Sequence, residues 1–176
     1  VDPSHLYVCG FSAAGHVCAS VCDYWDEIKD PDPEMDKISC RPDAAILSYP
    51  VITSGEYAHQ DSFRFLIGAD IYDRTDDEAK ALLNRYSLEK NVKPSNPPCF
   101  IWQTETDNLV PVQNSYLYAE ALKEKGVRYE HKTFPRGFHG LSIPNEDWAM
   151  GRHGEPYTAE QAFALVKAIK SGLIEA

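Results

Sequence analysis

A serine set among glycines and alanines joins an apolar run to a helix-patterned run near the start of this chain. The six residues are Gly10-Phe11-Ser12-Ala13-Ala14-Gly15, between His5 to Cys9 and Ala13 to Trp25. A strand that passes straight into a helix brings the two backbones close together, and only small residues leave room for that approach. A serine on such a turn is held with its oxygen exposed. The first N–H groups of the helix lack intrahelical partners and can face a developing oxyanion. Ala13 would supply one of them. The strict form of the turn has glycine two residues after the serine, where this chain has Ala14. Taken without other features, the turn is also compatible with a helix simply packed on a strand.

The rest of the chain repeats strand and helix. Ala44 to Tyr49 is apolar without strict alternation, as in a parallel sheet covered on both faces. Cys99 to Thr104 and Arg128 to Phe134 read as further strands. A helix is expected from about Val112 to Lys125, with Gly126 at its stop. Another is expected near Asp76 to Arg85, and a last one after the Thr158/Gln161 capping box, with Ala162, Leu165, Val166, Ile169 and Leu173 at helical spacing. On the first helix, Val17, Val21 and Tyr24 form one apolar row and Cys18, Cys22 and Trp25 another, which predicts a largely buried helix. The stretch from 53 to 96 reads as an irregular insertion that lines the pocket. Strand–helix repetition implies a parallel sheet with right-handed crossovers, in a single domain over 1–176.

Composition excludes several classes of function. The net charge is -10, with acidic and basic residues intermixed, which argues against nucleic acid or an anionic membrane as a partner. No apolar run is long enough to span a bilayer. The five cysteines, Cys9, Cys18, Cys22, Cys40 and Cys99, are odd in number and scattered, so a disulfide framework is not expected. Cys9 and Cys99 lie in apolar runs and are expected to be buried thiols. Cys18 and Cys22 share a helical face without further ligands, so no metal site is expected. Reduced thiols point to a cytoplasmic setting.

A serine nucleophile needs a base, and the base needs a carboxylate to hold its tautomer. The loop after Cys99 to Thr104 is Glu105-Thr106-Asp107-Asn108-Leu109-Val110-Pro111, and the loop after Arg128 to Phe134 is Pro135-Arg136-Gly137-Phe138-His139-Gly140. Serine, acid and histidine thus stand at strand ends in the order that the nucleophile-elbow fold requires. Asp107 is the expected acid, with Glu105 as the alternative. His139 is flanked by glycines, whereas His131 lies within a strand, His16 is one turn into a helix, and His5, His59 and His153 have no comparable setting. Phe11 beside the serine, and Tyr57 and His59 in the insertion, are further candidates for contact with substrate.

At these residues the sequence resembles the α/β-hydrolase esterases that include acetyl-xylan esterase-like and hormone-sensitive-lipase-like enzymes. The likeness rests on Gly10 to His16, Ser48-Tyr49-Pro50-Val51-Ile52, Pro97 to Thr104, Asp107 to Val112 and Phe134 to Gly140. It implies a three-layer α/β-hydrolase fold and hydrolysis of small acyl, acetyl-type esters, including those of xylan-type sugars. By position, Ser12 is the nucleophile, His139 the general base and then acid, Asp107 its orienting acid, and Ala13 N–H an oxyanion donor. The reaction needs no cofactor. Two other types stand beside it: a prolyl-oligopeptidase-type peptidase, which shares the residue order, and a non-catalytic member. In the resembled family the serine turn follows several strands, and an early glycine-rich loop supplies a second oxyanion donor. That pattern leads to the expectation of a C-terminal half of the sheet, with the N-terminal strands missing and weak or no activity in isolation. The strand before Ser12 would then present an open edge, a route to poor solubility and to a homo-oligomer.

Overall fold

The computed structural model describes residues 5–142. The last predicted helix and His153 lie outside the described residues. Four parallel strands form one sheet in the order β1-β2-β3-β4. They are β1 (Tyr7–Phe11), β2 (Ala44–Ser48), β3 (Cys99–Thr104) and β4 (Tyr129–Phe134). The helices are α1 (Ala13–Tyr24), α2 (Gln60–Ile67), α3 (Ala69–Tyr72), α4 (Asp77–Arg85) and α5 (Gln113–Glu124). Among them, no helix is long and apolar enough to cross a membrane.

Both sheet faces are covered, which is why β2 and β3 carry apolar residues without alternation. Ala45 and Leu47 of β2 and Cys99 and Ile101 of β3 pack against Ala19 and Cys22 of α1 and Tyr118 and Leu122 of α5. On the opposite face, Ile46, Phe100 and Trp102 gather Tyr49, Leu141, Phe11 and Phe134 around them. Every residue of β2 and of β3 is buried.

The joint between β1 and α1 is as tight as its small residues imply. A Cβ on Gly10 would overlap the Ala14 carbonyl oxygen and lie 2.8 Å from Cys18 Sγ. A Cβ on Gly15 would lie 2.8 Å from Pro50 Cβ. The helix and the neighbouring strand end therefore meet at van der Waals limits, and this closeness decides which face of α1 is buried. Gly15, His16, Ala19, Cys22, Asp23 and Tyr24 turn inward. Val17, expected inside, is 63% exposed. The apolar rows misplace the helix because close packing favours its small residues over its larger ones.

Other boundaries differ from expectation. The first strand runs on through Gly10 to Phe11, because Phe11 still pairs with Ser48 of β2. The second stops at Ser48, and Tyr49 takes a positive φ of 39°. Cys9 is exposed rather than buried, since β1 is the end strand of the described sheet. Cys99, within β3, is buried. The stretch from 53 to 96 is more regular than expected, for it holds α2 and α3 besides α4. The start of α4 is legible because Asp76 caps it, accepting from Ala79 N–H at 3.0 Å. The start of α2 is not, because His59 at its N-cap makes no side-chain capping bond. Asn114 of α5 ties the beginning of this stretch down. Its Oδ1 accepts from the N–H groups of Ile52 at 2.9 Å and Thr53 at 3.0 Å, and its Nδ2 donates to the Tyr57 carbonyl at 2.9 Å.

Candidate active site

The C-terminal ends of the strands carry Ser12, Asp107 and His139 to one place. Ser12 follows β1 at φ 55° and ψ -121°, a conformation that costs a non-glycine residue energy and is kept only where its surroundings dictate it. Here they do. Ser12 N–H donates to the Ser48 carbonyl at 3.0 Å, and the Ser12 carbonyl accepts from Val51 N–H at 3.2 Å. The turn is thereby bonded on both sides to the end of β2.

Ser12 Oγ lies 2.7 Å from His139 Nε2. His139 Nδ1 lies 2.8 Å from Asp107 Oδ2 and 3.1 Å from Oδ1. A carboxylate only accepts, so Nδ1 bears the hydrogen and Nε2 presents its lone pair to the serine. The Asp107 side chain is 0% exposed and that of His139 is 11% exposed. Burial pushes the Asp107 carboxyl up. Hydrogen bonds from His139 and from the N–H groups of Leu109 and Val110 outweigh this and hold it below its ordinary value. Both backbone bonds reach Oδ1 at 3.0 Å, as an aspartate makes in a turn it initiates. Glu105, the other acid in this loop, is engaged elsewhere, accepting from the Tyr116 hydroxyl at 2.6 Å.

Residues the sequence reading passed over brace the two loops against each other. Thr104 Oγ1 donates to the Gly137 carbonyl at 2.9 Å. Thr106 Oγ1 donates to the same carbonyl at 3.0 Å and accepts from Gly137 N–H at 2.9 Å. Asn108 Oδ1 accepts from His139 N–H at 3.1 Å. Tyr49 supports the imidazole from the side, edge to face at 4.8 Å between ring centres, and rests on Trp102 at 5.0 Å. Its hydroxyl accepts from Ser142 N–H at 3.0 Å. Its positive φ is the second strained non-glycine position at this end of the sheet. The polar residues next to Asp107 were visible in the sequence as loop composition, but nothing local marked them as partners of a loop about thirty residues on.

The remaining candidates separate. As first residue of α1, Ala13 has an N–H outside the helical ladder, on the same turn as Ser12 Oγ. Ala13 also lines a cavity of about 340 Å³ with His16, Val17, Val51, Phe63 and Leu66. Phe11 packs away from it, against Tyr49 at 5.9 Å. Tyr57 and His59 do not line it. The Tyr57 carbonyl holds Asn114, and His59 Nδ1 lies 2.8 Å from Ser62 Oγ. His16 is buried, with Nδ1 3.1 Å from the Val51 carbonyl, and burial lowers its pKa. His131 Nε2 lies 3.1 Å from Ser115 Oγ. Among the described residues no group of histidine, cysteine and acidic side chains is placed to hold a metal ion.

A parallel sheet with a strained serine elbow, and an acid and a histidine on later strand ends, defines the α/β-hydrolase class. Within it, residues 43–162 match the model of the prolyl oligopeptidase family, and the chain belongs to that family. It is 52% identical over 161 residues to endo-1,4-beta-xylanase B of Butyrivibrio fibrisolvens, covering 92% of this chain and 24% of that protein. It is 29% identical over 146 residues to an acetylxylan esterase of Xylanibacter ruminicola, covering 81% of this chain and 27% of that protein. Among solved structures, an acetyl ester-xyloside bifunctional hydrolase from Caldicellulosiruptor lactoaceticus superposes with a TM-score of 0.77 at 36% identity. That match covers 97% of this chain and 58% of the other. The chain thus spans about a quarter of the length of these two curated relatives.

Proposed function

We propose that this chain carries the serine machinery of a carboxylesterase acting on small acyl, acetyl-type esters, with acetylated xylan-type sugars as the substrate class. The observation that carries the reading is the continuous bonding from Ser12 Oγ to His139 Nε2 at 2.7 Å and from His139 Nδ1 to Asp107 Oδ2 at 2.8 Å. The acetylxylan esterase among the relatives and the acetyl ester-xyloside hydrolase among the structures support the substrate class.

On this reading His139 Nε2 takes the proton as Ser12 Oγ attacks the ester carbonyl. The carbonyl oxygen becomes an oxyanion facing Ala13 N–H. His139 then gives the proton to the departing alcohol, leaving an acyl group on Ser12. Water attacks that acyl group with His139 again as base, and the acid leaves. Asp107 stays ionised throughout, holding Nδ1–H in place and stabilising the imidazolium. The test is hydrolysis of p-nitrophenyl acetate by the protein and by Ser12→Ala. Equal rates for the two would refute the assignment.

A second reading, a serine peptidase, has one specific observation behind it, the match to the prolyl oligopeptidase family model. Cleavage of a proline-containing peptide without cleavage of the acetyl ester would favour it.

A further inference from the structure

Gln103 is a polar residue near the C-terminal end of β3, a strand whose residues are all buried. Its side chain is fully buried, like those of Ile101 and Trp102 beside it. Its Nε2 donates to Asp107 Oδ2 at 3.2 Å and to the Val110 carbonyl at 2.7 Å. Both partners only accept, which fixes the amide with its NH2 toward them. The Oε1 atom is buried and has no hydrogen-bond partner among the described residues. A buried carbonyl oxygen without a partner is a cost that leucine or methionine would avoid at the same volume. The amide is therefore explained by what its two hydrogens do.

We propose that Gln103 is a positioning residue for the Asp107–His139 pair, an inference that rests on the reading of Ser12, His139 and Asp107 given above. Its two hydrogen bonds span the acid loop from the carboxylate to Val110, fixing the chord of the turn. Asp107 Oδ1 is already held by Leu109 and Val110 N–H, and His139 and Gln103 share Oδ2. Donors on both oxygens set the plane of the carboxylate, and so the direction in which Nδ1–H must point. A neutral donor does this without opposing the imidazolium that forms in the transition state. A lysine or arginine in its place would compete with His139 for the same charge. The Tyr49 hydroxyl also lies close to Asp107 and is uncharged at neutral pH.

The test uses the full protein as its gene encodes it, with p-nitrophenyl acetate as substrate. Gln103→Leu is expected to lower kcat by about 10- to 100-fold, the range for losing a support that orients a reacting group, with KM unchanged. Gln103→Glu keeps the shape and sets a second carboxyl against Asp107. It is expected to move the acid limb of kcat/KM to higher pH, because added negative charge favours the protonated imidazole. This variant carries the test where the leucine variant gives no folded protein. Variants that lose thermal stability but keep wild-type kcat per folded molecule and an unmoved acid limb would overturn the proposal. Ser12→Ala, run in parallel, separates the two levels. Retained activity in Ser12→Ala overturns the esterase reading itself. An inactive Ser12→Ala beside an unaffected Gln103→Leu overturns only the role of Gln103.

Discussion

Replacing Asp107 by asparagine tests the site through hydrogen-bond polarity, with almost no change of shape. In the native chain Oδ1 accepts from Leu109 and Val110 N–H at 3.0 Å each. Oδ2 accepts from His139 Nδ1 at 2.8 Å and from Gln103 Nε2 at 3.2 Å. An asparagine offers one acceptor oxygen and one NH2. With the oxygen kept on the two backbone N–H groups, the NH2 faces His139 and Gln103. The imidazole then meets a donor, so its hydrogen moves to Nε2 and points at Ser12 Oγ, 2.7 Å away. The base no longer has a lone pair where the serine proton must go. The reverse orientation would set two backbone N–H groups against an NH2, at about 1 kcal/mol for each bond lost, and is disfavoured. The expected fall in kcat is on the order of 10⁴, as for the same change in the chymotrypsin-type triad. That equals about 5 kcal/mol of transition-state stabilisation. The assay is p-nitrophenyl acetate turnover, with the thermal midpoint measured alongside to establish folding. Glu105→Gln is the control, since Glu105 holds the Tyr116 hydroxyl instead. The reasoning fails if Asp107→Asn stays within about tenfold of the native rate, or if Glu105→Gln causes the larger loss.

Further expectations concern the scaffold. Asp23 is fully buried, and its Oδ1 accepts from Asn96 Nδ2 at 2.5 Å and the Tyr118 hydroxyl at 2.9 Å, while Oδ2 has no partner among the described residues. Burial, only partly offset by those bonds, raises its pKa from 3.8 to about 7. The folded state thus holds a proton that the unfolded state releases, so this contribution is fully present below about pH 4 and falls as pH rises to 7. The loss is at most about 4 kcal/mol, at 1.36 kcal/mol for each of roughly three units. Urea midpoints at pH 5 and pH 8 should show Asp23→Asn flattening this decline; an unchanged slope would contradict the argument. Gly10→Ala should destabilise by about 3 kcal/mol through overlap with the Ala14 carbonyl, read from the same urea midpoint. Finally, β1 is paired on one side only among the described residues. Residues 1–176 expressed alone should self-associate as concentration rises in sedimentation, and a compact monomer at every concentration would count against it.

Much of the architecture could be read from the sequence because its determinants are local. Strand β3 is where Pro97, Pro98 and its apolar run place it, and α5 ends at Glu124, one residue short of the expected Lys125, which caps it ahead of Gly126 at a φ of 70°. The errors fall where distant contacts decide. Val17 is exposed because α1 must bring Gly15 and Ala19 inward to meet β2 and Pro50. Helix α2 has His59 at its N-cap, which is not a preferred capping residue type, so it lacks the mark that Asp76 gives α4. Tyr49 leaves the strand because its N–H must still reach the Trp102 carbonyl, at 2.7 Å, while its ring turns beneath His139.

The site divides along the same line. Ser12, Asp107 and His139 are recognisable because each sits on a loop whose position after a strand is set by the fold, so order along the chain stands in for position in space. Their supports carry no such mark. Gln103 reads as an intrusion in an apolar strand until its amide is seen between Asp107 and Val110. Thr106 and Asn108 read as turn formers until Gly137 and His139 are seen against them. Yet these contacts fix the distance between acid and base, and a displacement of about 1 Å at a reacting group can cost about a hundredfold in rate. The residues proposed to perform the chemistry are therefore written in the sequence by type and order. The precision with which they meet is written by pairs far apart in the chain, and it is at those pairs, Gln103 with Asp107 first among them, that substitution should separate a folded protein from a working one.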